Sequence, residues 1–225
     1  MQESQRIVAY APVKLNNERL PNKNILPFYD GSPLCARVLS TLKSVEGISA
    51  VYAFCSDDSI KAYLPEGVEH LPRSKDLDSF KTIINEVCHA FTLAVDADIY
   101  VYAQVTSPFL SKETVTAGLN AVLSGEYDSA VSVKRIQDFT WMKGVPYNFD
   151  PANIPRTQDM EPYFIETGAL YIYKREAMIL HNRRCGFKPF MIEVSAMEAI
   201  DVDYKEDFEF ADAVLRYINS IKKEE

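Results

Sequence analysis

Three basic residues lie close together in one polar loop of this 225-residue chain. Lys14, Arg19 and Lys23 fall within residues 12–24, directly after the apolar segment 7–11. In an α/β sheet such a loop lies at the carboxyl end of a strand, where ligands bind. Three cations there would neutralise a polyphosphate and stabilise the charge that develops during phosphoryl or nucleotidyl transfer. A plain solvated basic loop has the same composition, so the cations alone leave both interpretations open.

Two acidic residues in the carboxyl-terminal part of the chain have the spacing of a metal site. Asp201 and Asp203 are two positions apart, and side chains at this spacing on an extended segment point the same way. Both carboxylates could therefore face one Mg²⁺, which keeps several waters and bridges to phosphates. Acidic residues also favour the first turn of a helix, whose amino end carries a positive partial charge. That alternative suits Glu206 and Asp207 better than Asp201, which follows two apolar residues.

Strand-like and helix-like segments alternate through most of the chain and would position these residues. Such alternation predicts an α/β fold with a mostly parallel central sheet that is flanked by helices. Apolar runs predict strands at 7–11, 51–55, 99–103, 129–133, 169–173 and 190–194, and apolar residues at helical spacing predict helices that begin near Pro33, Phe80, Ser111 and Glu206.

Residues 136–166 interrupt this alternation. The segment combines several aromatic residues with four prolines, which makes it too apolar for a linker and too rich in proline for a helix. It could be an arm that covers a partner subunit, a flap over the site, or a loop folded onto its own domain. We therefore expect one domain over residues 1–225, with an arm at about 136–166.

The composition excludes several classes of protein. Hydrophobic residues make up 47% of the chain, enough for a full core and against wholesale disorder. The net charge of −8 argues against a protein that coats nucleic acid or an anionic membrane. No window approaches the ~20 apolar residues of a membrane helix, and the start lacks the layout of a signal peptide. With four widely spaced cysteines, we expect reduced thiols and a cytoplasmic protein.

Four motifs, in order along the chain, resemble those of the CMP-sugar synthetases, the family of the CMP-sialic acid and KDO cytidylyltransferases. Arg19-Leu-Pro-Asn-Lys-Asn24 is similar to the amino-terminal signature of that family, and Gln104-Val-Thr-Ser-Pro108 to its Gln-x-Thr-Ser-Pro turn. Leu71-Pro-Arg73 with Asp78-Ser-Phe-Lys-Thr82 resembles the stretch that holds the cytidine nucleotide. Asp201-Val-Asp203 resembles the metal-binding Asp-x-Asp.

The resemblance implies a fold, a reaction and a cofactor. The fold is that of the nucleotide-diphospho-sugar transferases, with a GT-A-like architecture and a small dimerisation arm. The reaction is the Mg²⁺-dependent transfer of CMP from CTP to an acidic sugar of the ulosonic or nonulosonic type, with release of pyrophosphate. The implied partners are CTP, a small acidic sugar or related acid, and a second copy of the chain in a homodimer, but neither nucleic acid nor a membrane.

The same resemblance assigns roles to individual residues, including two weaker matches, at 155–156 and 167–171, to segments around the sugar. The cations expected to act in catalysis are Lys14, Arg19 and Lys23. The expected nucleotide-binding residues are Ala11, Lys14, Lys23, Asn24, Arg73, Ser79, Thr82 and Gln104. The expected substrate-binding residues are Gln104, Thr106, Ser107, Arg156, Thr167 and Tyr171. The expected Mg²⁺ ligands are Asp201 and Asp203.

Two positions depart from the sialic-type pattern. Glu18 stands where sialic-type enzymes carry a Lys that is expected near the transferring phosphate. Ile165 stands where they carry an Arg that would pair with the sugar carboxylate, and an acid, Glu166, follows it. Loss of a bidentate Arg–carboxylate contact is not a conservative change, so sialic acid itself is not the expected acceptor.

Three alternative functions remain open from the sequence. A GT-A glycosyltransferase that uses a nucleotide sugar would also carry an Asp-x-Asp, although the late position of this one favours a synthetase. Glu18 is compatible with a catalytically silent nucleotide-binding homologue. Ile165 is compatible with a cytidylyltransferase that acts on a non-sugar acid such as a phosphonate.

Overall fold

A seven-stranded β-sheet with helices packed on both faces forms the centre of the computed structural model, which describes residues 5–221. Residues 1–4 and 222–225 lie outside the described residues. The expectation that the chain starts without a signal peptide falls partly on residues 1–4. Within residues 5–221, no helix combines the length and apolar character needed to cross a membrane.

The sheet is mostly parallel, as the sequence predicts. The strand order is β3-β2-β1-β4-β8-β5-β9, and only β8 runs antiparallel to its two neighbours. The strands are β1 (Ile7–Pro12), β2 (Ala50–Cys55), β3 (Glu69–Pro72), β4 (Ile99–Ala103), β5 (Ser129–Ile136), β6 (Trp141–Met142), β7 (Val145–Pro146), β8 (Tyr163–Lys174) and β9 (Pro189–Glu193). The helices are α1 (Leu34–Ser44), α2 (Ile84–Ala94), α3 (Lys112–Leu123), α4 (Arg175–His181) and α5 (Lys205–Ile221).

Alternation along the central strands divides the interior into two cores. In β1, Ala9 packs in the core that α1 and α3 cover, whereas Val8 and Tyr10 pack in the core that α2 and α4 cover. The second core is aromatic, and the rings of Tyr10 and Phe91 stack at a centroid distance of 3.8 Å. Because both faces of the central strands are buried, they form continuous apolar runs in the sequence.

The order of the strands creates a switch point between β1 and β4. From β1 the chain moves outward to β2 and β3 on one side, and then returns to β4 on the other side. In open α/β sheets, ligands bind beyond the carboxyl ends of the strands at such a point. The loop 13–24 after β1 and the turn 104–108 after β4 both begin there.

The interruption that the sequence shows at 136–166 is shorter in the structure. Strand β5 extends to Ile136 and β8 begins at Tyr163, and their ends pair from Val133 opposite Glu166 to Ile136 opposite Tyr163. Only residues 137–162 leave the sheet, and they contain the short hairpin of β6 and β7. The pairing was not visible in the sequence because a two-stranded extension leaves its side chains exposed and lacks the buried apolar run of a central strand.

Two further boundaries differ from the sequence prediction. The helix expected from Phe80 begins at Ile84, because Ile83 is extended with φ −82° and ψ 149°. The short helix α4 was not predicted. Its seven residues follow β8 without a break, and a helix this short gives little periodicity to detect.

Close packing of α3 on the sheet depends on a glycine. A Cβ at Gly118 would lie 2.5 Å from Cδ1 of Ile192 and 3.0 Å from Cδ1 of Ile172. We predict that Gly118→Val lowers the free energy of unfolding by about 1–3 kcal/mol through overpacking, as measured by urea denaturation. Ala117→Val is the control, because Ala117 is exposed on the same helix. Equal stability of the two variants would contradict this account of the packing.

Candidate active site

A cleft of about 380 Å³ opens at the switch point between β1 and β4. This volume falls within the usual range of small-molecule sites. The cleft brings together residues that are far apart in the sequence: Pro12, Lys14, Asn17, Glu18, Arg19, Leu20, Lys23, Asn24, Arg73, Leu77, Ser79, Phe80, Thr82, Ile84, Val87, Gln104, Val105, Thr106 and Asp203.

One wall of the cleft is cationic and is held by an acid from the other end of the chain. The Lys23 Nζ lies 2.9 Å from Oδ1 of Asp203, and Arg19 donates a hydrogen bond to Oδ2. The side chain of Lys23 is only 9% exposed. Asn24 fixes the loop from within, since its Nδ2 donates to the Lys14 carbonyl oxygen at 2.8 Å. The loop is therefore ordered by its own polar groups and carries its charges into the cleft.

The two aspartates flank a buried residue at the edge of the cleft. Val202 is fully buried, and its N–H donates to the Thr106 carbonyl oxygen at 2.8 Å. Local burial raises the pKa of Asp201, and the neighbouring Asp203 raises it further against a hydrogen bond from Thr106. Desolvation also acts on Asp203, but the hydrogen bond and charge of Lys23, followed by the charge of Arg19, lower its pKa overall. The charge of Asp203 thus acts on Asp201.

These carboxylates fit a magnesium ion that is shared with a phosphate ligand. Asp201 and Asp203 offer hard oxygen donors on either side of Val202, and Mg²⁺ commonly uses one or two protein carboxylates together with phosphates and water. Within residues 5–221, no group of three or more His, Cys, Asp or Glu side chains could hold a metal by itself.

A buried guanidinium also belongs to the lining of the cleft. The Arg73 side chain is 3% exposed, and its Nη2 donates to Oδ1 of Asp78 at 2.7 Å. Its Nε and Nη1 are buried and have no hydrogen-bond partner among the described residues. A buried donor without a partner costs roughly 1–3 kcal/mol. Arg73 lines the cleft, so these unpaired nitrogens lie beside it.

The mouth of the cleft combines an aromatic ring with two hydroxyls. The Lys14 Nζ lies 4.5 Å from the centre of the Phe80 ring, which is 56% exposed. Ser79 accepts a hydrogen bond from a backbone N–H through its hydroxyl, and the Thr82 hydroxyl donates to the Asp76 carbonyl oxygen at 3.2 Å. This combination can contact a flat, partly polar group such as a nucleobase or its ribose.

The turn after β4 presents a polar amide to the cleft. Oε1 of Gln104 accepts a hydrogen bond from the Tyr102 hydroxyl, and its backbone N–H donates to the Ala169 carbonyl oxygen at 2.9 Å. Thr106 lines the cleft, whereas Ser107 is buried beneath the turn. Of the expected Gln-x-Thr-Ser group, the amide and the threonine therefore reach the cleft surface.

Several residues expected at the site do not line the cleft. Ala11 is fully buried in β1, so its side chain belongs to the core. Arg156 is 72% exposed and forms a two-point ion pair with Asp159, at 2.7 and 2.9 Å, outside the sheet. The Thr167 hydroxyl forms a hydrogen bond with the Ser132 hydroxyl at 2.7 Å, and the Tyr171 hydroxyl donates a hydrogen bond to Glu166. Asp201 and Ser107 are likewise not part of the lining.

Other lining residues were not predicted from the sequence. They are mostly apolar and come from the loop after β1, the turn before α2 and the first turns of α2: Leu20, Leu77, Ile84 and Val87. In the sequence, the last two are part of the apolar stripe of a helix, which ordinarily marks the core. Asn17 also lines the cleft, and its Oδ1 is buried without a partner among the described residues.

The whole of this site falls within a match to one protein family. The family model described as cytidylyltransferase covers residues 11–223. The chain belongs to the cytidylyltransferase family. That match confirms the family indicated by the four motifs, and it includes the cationic loop, the buried Arg73 and both aspartates.

Two relatives support the family with modest identity. N-acylneuraminate cytidylyltransferase A from Danio rerio is 26% identical over 226 residues, which covers 96% of this chain and 52% of the relative. The 3-deoxy-manno-octulosonate cytidylyltransferase 2 from Hydrogenovibrio crunogenus is 24% identical over 167 residues, which covers 67% of this chain and 66% of the relative. The chain thus spans about half of the first relative and just under two thirds of the second.

Solved structures share the fold. A CMP:2-keto-3-deoxy-manno-octonic acid synthetase complexed with CTP superimposes with a TM-score of 0.72 at 17% identity, and covers 94% of this chain and 99% of that one. A 4-diphosphocytidyl-2C-methyl-D-erythritol synthase from Anaerococcus prevotii has a TM-score of 0.68 at 13% identity, with 95% and 97% covered. The α/β architecture expected of a nucleotidyltransferase is therefore confirmed.

The ion pairs of Asp203 give stability a dependence on pH. Asp203→Asn leaves the buried Lys23 ammonium without a charged partner, and we predict a loss of about 1 kcal/mol of unfolding free energy at pH 7, because the partial exposure of Asp203 weakens the pair. Because the pKa of Asp203 is lowered in the folded state, its contribution is present above the ordinary carboxylate pKa of about 4 and is lost as the pH falls through the lowered value.

Urea denaturation between pH 7 and pH 3, with a chelator present, measures this difference. The gap between the wild type and Asp203→Asn should close as the pH falls below about 4. A gap that stays constant to pH 3 would contradict the role of the charge. Glu206→Gln is the control, because Glu206 is exposed one turn away and has no ion pair among the described residues.

Proposed function

We propose that this protein is an active cytidylyltransferase that transfers CMP from CTP to a small acidic sugar or related acid and releases pyrophosphate. Family membership supports the class of reaction. The observation that carries the proposal for this chain is the cleft itself, which is lined by three cations and by a buried arginine with two unpaired nitrogens. Such a concentration of buried donors matches a ligand of high negative charge.

The triphosphate would lie along the cationic wall. Lys14, Arg19 and Lys23 would neutralise the phosphate oxygens and hold the leaving pyrophosphate, whose charge grows in the transition state. Lys23 and Arg19 are paired with Asp203 in the structure. A bound triphosphate would offer both cations competing anionic oxygens and would free the Asp203 carboxylate for a second partner.

The nucleoside would occupy the opposite side. The free N–H groups of Arg73 would donate to acceptors on the nucleotide, and the hydroxyls of Ser79 and Thr82 would contact its polar groups near the Phe80 ring. Gln104 would bind at the junction between nucleotide and acceptor. Fixing both reactants matters because a displacement of ~1 Å can cost on the order of 10²-fold in rate.

Mg²⁺ is the cofactor that we propose, held by Asp201 and Asp203. When bound, the ion would polarise a phosphate oxygen and reduce the charge that the acceptor must approach. The acceptor oxygen attacks the α-phosphorus directly, the bond to the pyrophosphate oxygen breaks, and the acceptor proton passes to water or to a nearby base. A thiol nucleophile is not needed, and burial raises the pKa of Cys35 to about 12 and that of Cys88 to about 11.

We infer the acceptor class from the names of the relatives together with the departure from the sialic-type pattern at Ile165. The relatives are named for N-acylneuraminate and 3-deoxy-manno-octulosonate, both of which are sugar acids. Ile165 lies at the place of the sialic-type arginine and is 51% exposed. We therefore propose a sugar acid other than sialic acid, and treat a non-sugar acid such as a phosphonate as the closest alternative.

The test is pyrophosphate release from CTP with Mg²⁺ across a panel of sugar acids and phosphonates. We predict release that depends on both CTP and one acid of the panel, without any acceptor glycan, and at least tenfold slower with ATP, GTP or UTP. Release that required a nucleotide sugar and a glycan acceptor would indicate the glycosyltransferase. If calorimetry detects binding of CTP with Mg²⁺ but no acid of the panel supports turnover, the protein is a silent homologue. Glu18, which lines the cleft, is the residue that suggests this alternative.

The proposed metal site is tested separately in the same assay. Asp201→Asn should reduce turnover at least tenfold and raise the Mg²⁺ concentration needed for half-maximal rate, since it removes a proposed ligand. Glu206→Gln serves again as the control and should retain the wild-type rate. Wild-type activity and Mg²⁺ dependence in Asp201→Asn would exclude Asp201 as a ligand.

We also propose a homodimer in which the arm 137–162 contacts the partner subunit. The arm exposes large apolar side chains that a monomer would leave in water, with Trp141, Val145 and Tyr147 each 60% exposed. Its aromatic cluster is internally packed, since the rings of Trp141 and Phe149 lie 5.6 Å apart. Exposed apolar residues of this kind are typical of interfaces.

Sedimentation equilibrium tests the dimer. We predict a dimer for the wild type and at least a tenfold higher dissociation constant for the double variant Trp141→Ser and Tyr147→Ser. The control is Leu180→Ser, because Leu180 is 70% exposed on α4 and outside the arm. A wild-type monomer, or a dimer that the arm variant does not weaken, would contradict the proposal.

A further inference from the structure

A small polar cluster lies on β8 beyond Gln104 and outside the cleft lining. The Tyr171 hydroxyl donates to Oε2 of Glu166 at 2.6 Å and accepts a hydrogen bond from Nη2 of Arg184 at 3.2 Å. The guanidinium of Arg184 also stacks on the Tyr171 ring, 4.0 Å from its centre. The hydroxyl oxygen of one tyrosine thus contacts both a carboxylate and a guanidinium.

A bulge in β8 is what brings Glu166 and Tyr171 to the same side. Residues five positions apart on a regular strand face opposite sides of the sheet. Here the register shifts between Val131 and Val133 of β5, and Gly168 takes a φ of +77°. Two steps along β5, from Val131 to Val133, span five steps along β8, from Tyr171 to Glu166, and this odd excess of three residues reverses the alternation. Glu166 therefore shares the face of Tyr171, and the side chain of Ile165 points away from it.

The Glu166 carboxylate and the Arg184 guanidinium do not form an ion pair with each other. Among residues 5–221, neither Glu166 nor Arg184 forms an ion pair, and each makes its only side-chain hydrogen bond to Tyr171. Arg184 is partly buried over the ring, which limits its motion. A positioned guanidinium with unused N–H groups and a carboxylate with an unused oxygen are complementary to a ligand that carries both an anion and a hydrogen-bond donor.

The cluster is continuous with the cleft. Tyr171 pairs with Tyr102 across β8 and β4, and their rings are 5.7 Å apart. The Tyr102 hydroxyl in turn donates to Gln104, which lines the cleft. A molecule that reached from Gln104 along this face of β8 would meet Glu166 and Arg184 next.

We propose that Arg184 and Glu166 form the acceptor subsite: Arg184 binds the acidic group of the acceptor, and Glu166 binds an amine or hydroxyl of the same molecule. This inference rests on the proposed function. It replaces the arginine missing at Ile165 by one from the loop between α4 and β9, and it explains how an acid can be bound although Arg156 is paired with Asp159. Arg184 is a specificity residue in this proposal, and Tyr171 positions it.

The test compares Arg184→Gln and Arg184→Lys with the neighbouring control Arg183→Gln. Arg183 donates to the Cys185 carbonyl oxygen and stacks on Phe187, without contact to Tyr171. With the panel acid that supports the fastest pyrophosphate release, Arg184→Gln should raise the KM for the acid at least tenfold and change the KM for CTP less than twofold. Arg184→Lys should fall between wild type and Arg184→Gln, because it keeps the charge but not the planar fork.

The role of Glu166 is tested with two probes, 3-deoxy-manno-octulosonate as a hydroxylated carboxylic acid and 2-aminoethylphosphonate as an amino acid analogue with a phosphonate. Glu166→Gln should weaken the binding of an amine-bearing acid at least tenfold. It should weaken the binding of a purely hydroxylated acid by a smaller factor, since the glutamine amide still accepts a hydrogen bond. Acid binding is also measured by calorimetry in the presence of CTP and Ca²⁺, so that affinity is read without turnover.

Each outcome decides between the two proposals. If the wild type releases pyrophosphate with an acid and Arg184→Gln leaves the KM for that acid unchanged, the subsite is wrong and the function stands. If Arg184→Gln raises the KM for CTP and the acid equally, or lowers the melting temperature together with both, Arg184 is structural and the subsite is again wrong. If no acid supports release or binds to the wild-type protein, the proposed function fails and the subsite fails with it.

Discussion

The contact of Asp203 with Lys23 and Arg19 joins the two ends of the chain at the cleft. Residues 180 and 184 positions apart in the sequence meet there, and the segment around Val202 is fixed by its hydrogen bond to the turn after β4. This junction offsets the repulsion between the two cations of the loop and holds Asp203 against them. It brings the cations of the loop and the carboxylate of Asp203 into one cleft.

The cleft keeps polar groups in states that a purely structural region would avoid. Arg73 is buried with only one of its nitrogens paired, and Asn17 and Asn24 each bury an unpaired oxygen. Folded proteins satisfy nearly all such groups, so their concentration at one edge of the sheet marks a place where a ligand completes the hydrogen bonding. The proposed nucleotide supplies acceptors for Arg73 and negative charge for the lysines, which is why the geometry and the proposed reaction agree.

Strand β8 connects the nucleotide side of the cleft to the face where an acceptor would bind. It is the one antiparallel strand of the seven-stranded sheet, so its first half extends past the carboxyl ends of β4, where the cleft opens. The bulge at Gly168 then turns Glu166 toward Tyr171 and Arg184. A regular strand would present Ile165 at that place instead, and Glu166 would face the other side of the sheet.

The sequence by itself determined the fold class, the family and most of the cleft, because apolar runs, turn residues and short motifs are local properties that survive in linear order. Lys14, Lys23, Arg73 and Gln104 lie within or beside such motifs, and all of them line the cleft. Only the tertiary structure decided which residues leave the site and which join it. Arg156 pairs with a nearby acid and does not line the cleft, and Arg184, in no recognisable motif, stacks on Tyr171, where we propose that it binds the acceptor. The place of Glu166 beside Tyr171 depends on strand register and a bulge, which follow from packing across the sheet and leave no periodic signal in the chain.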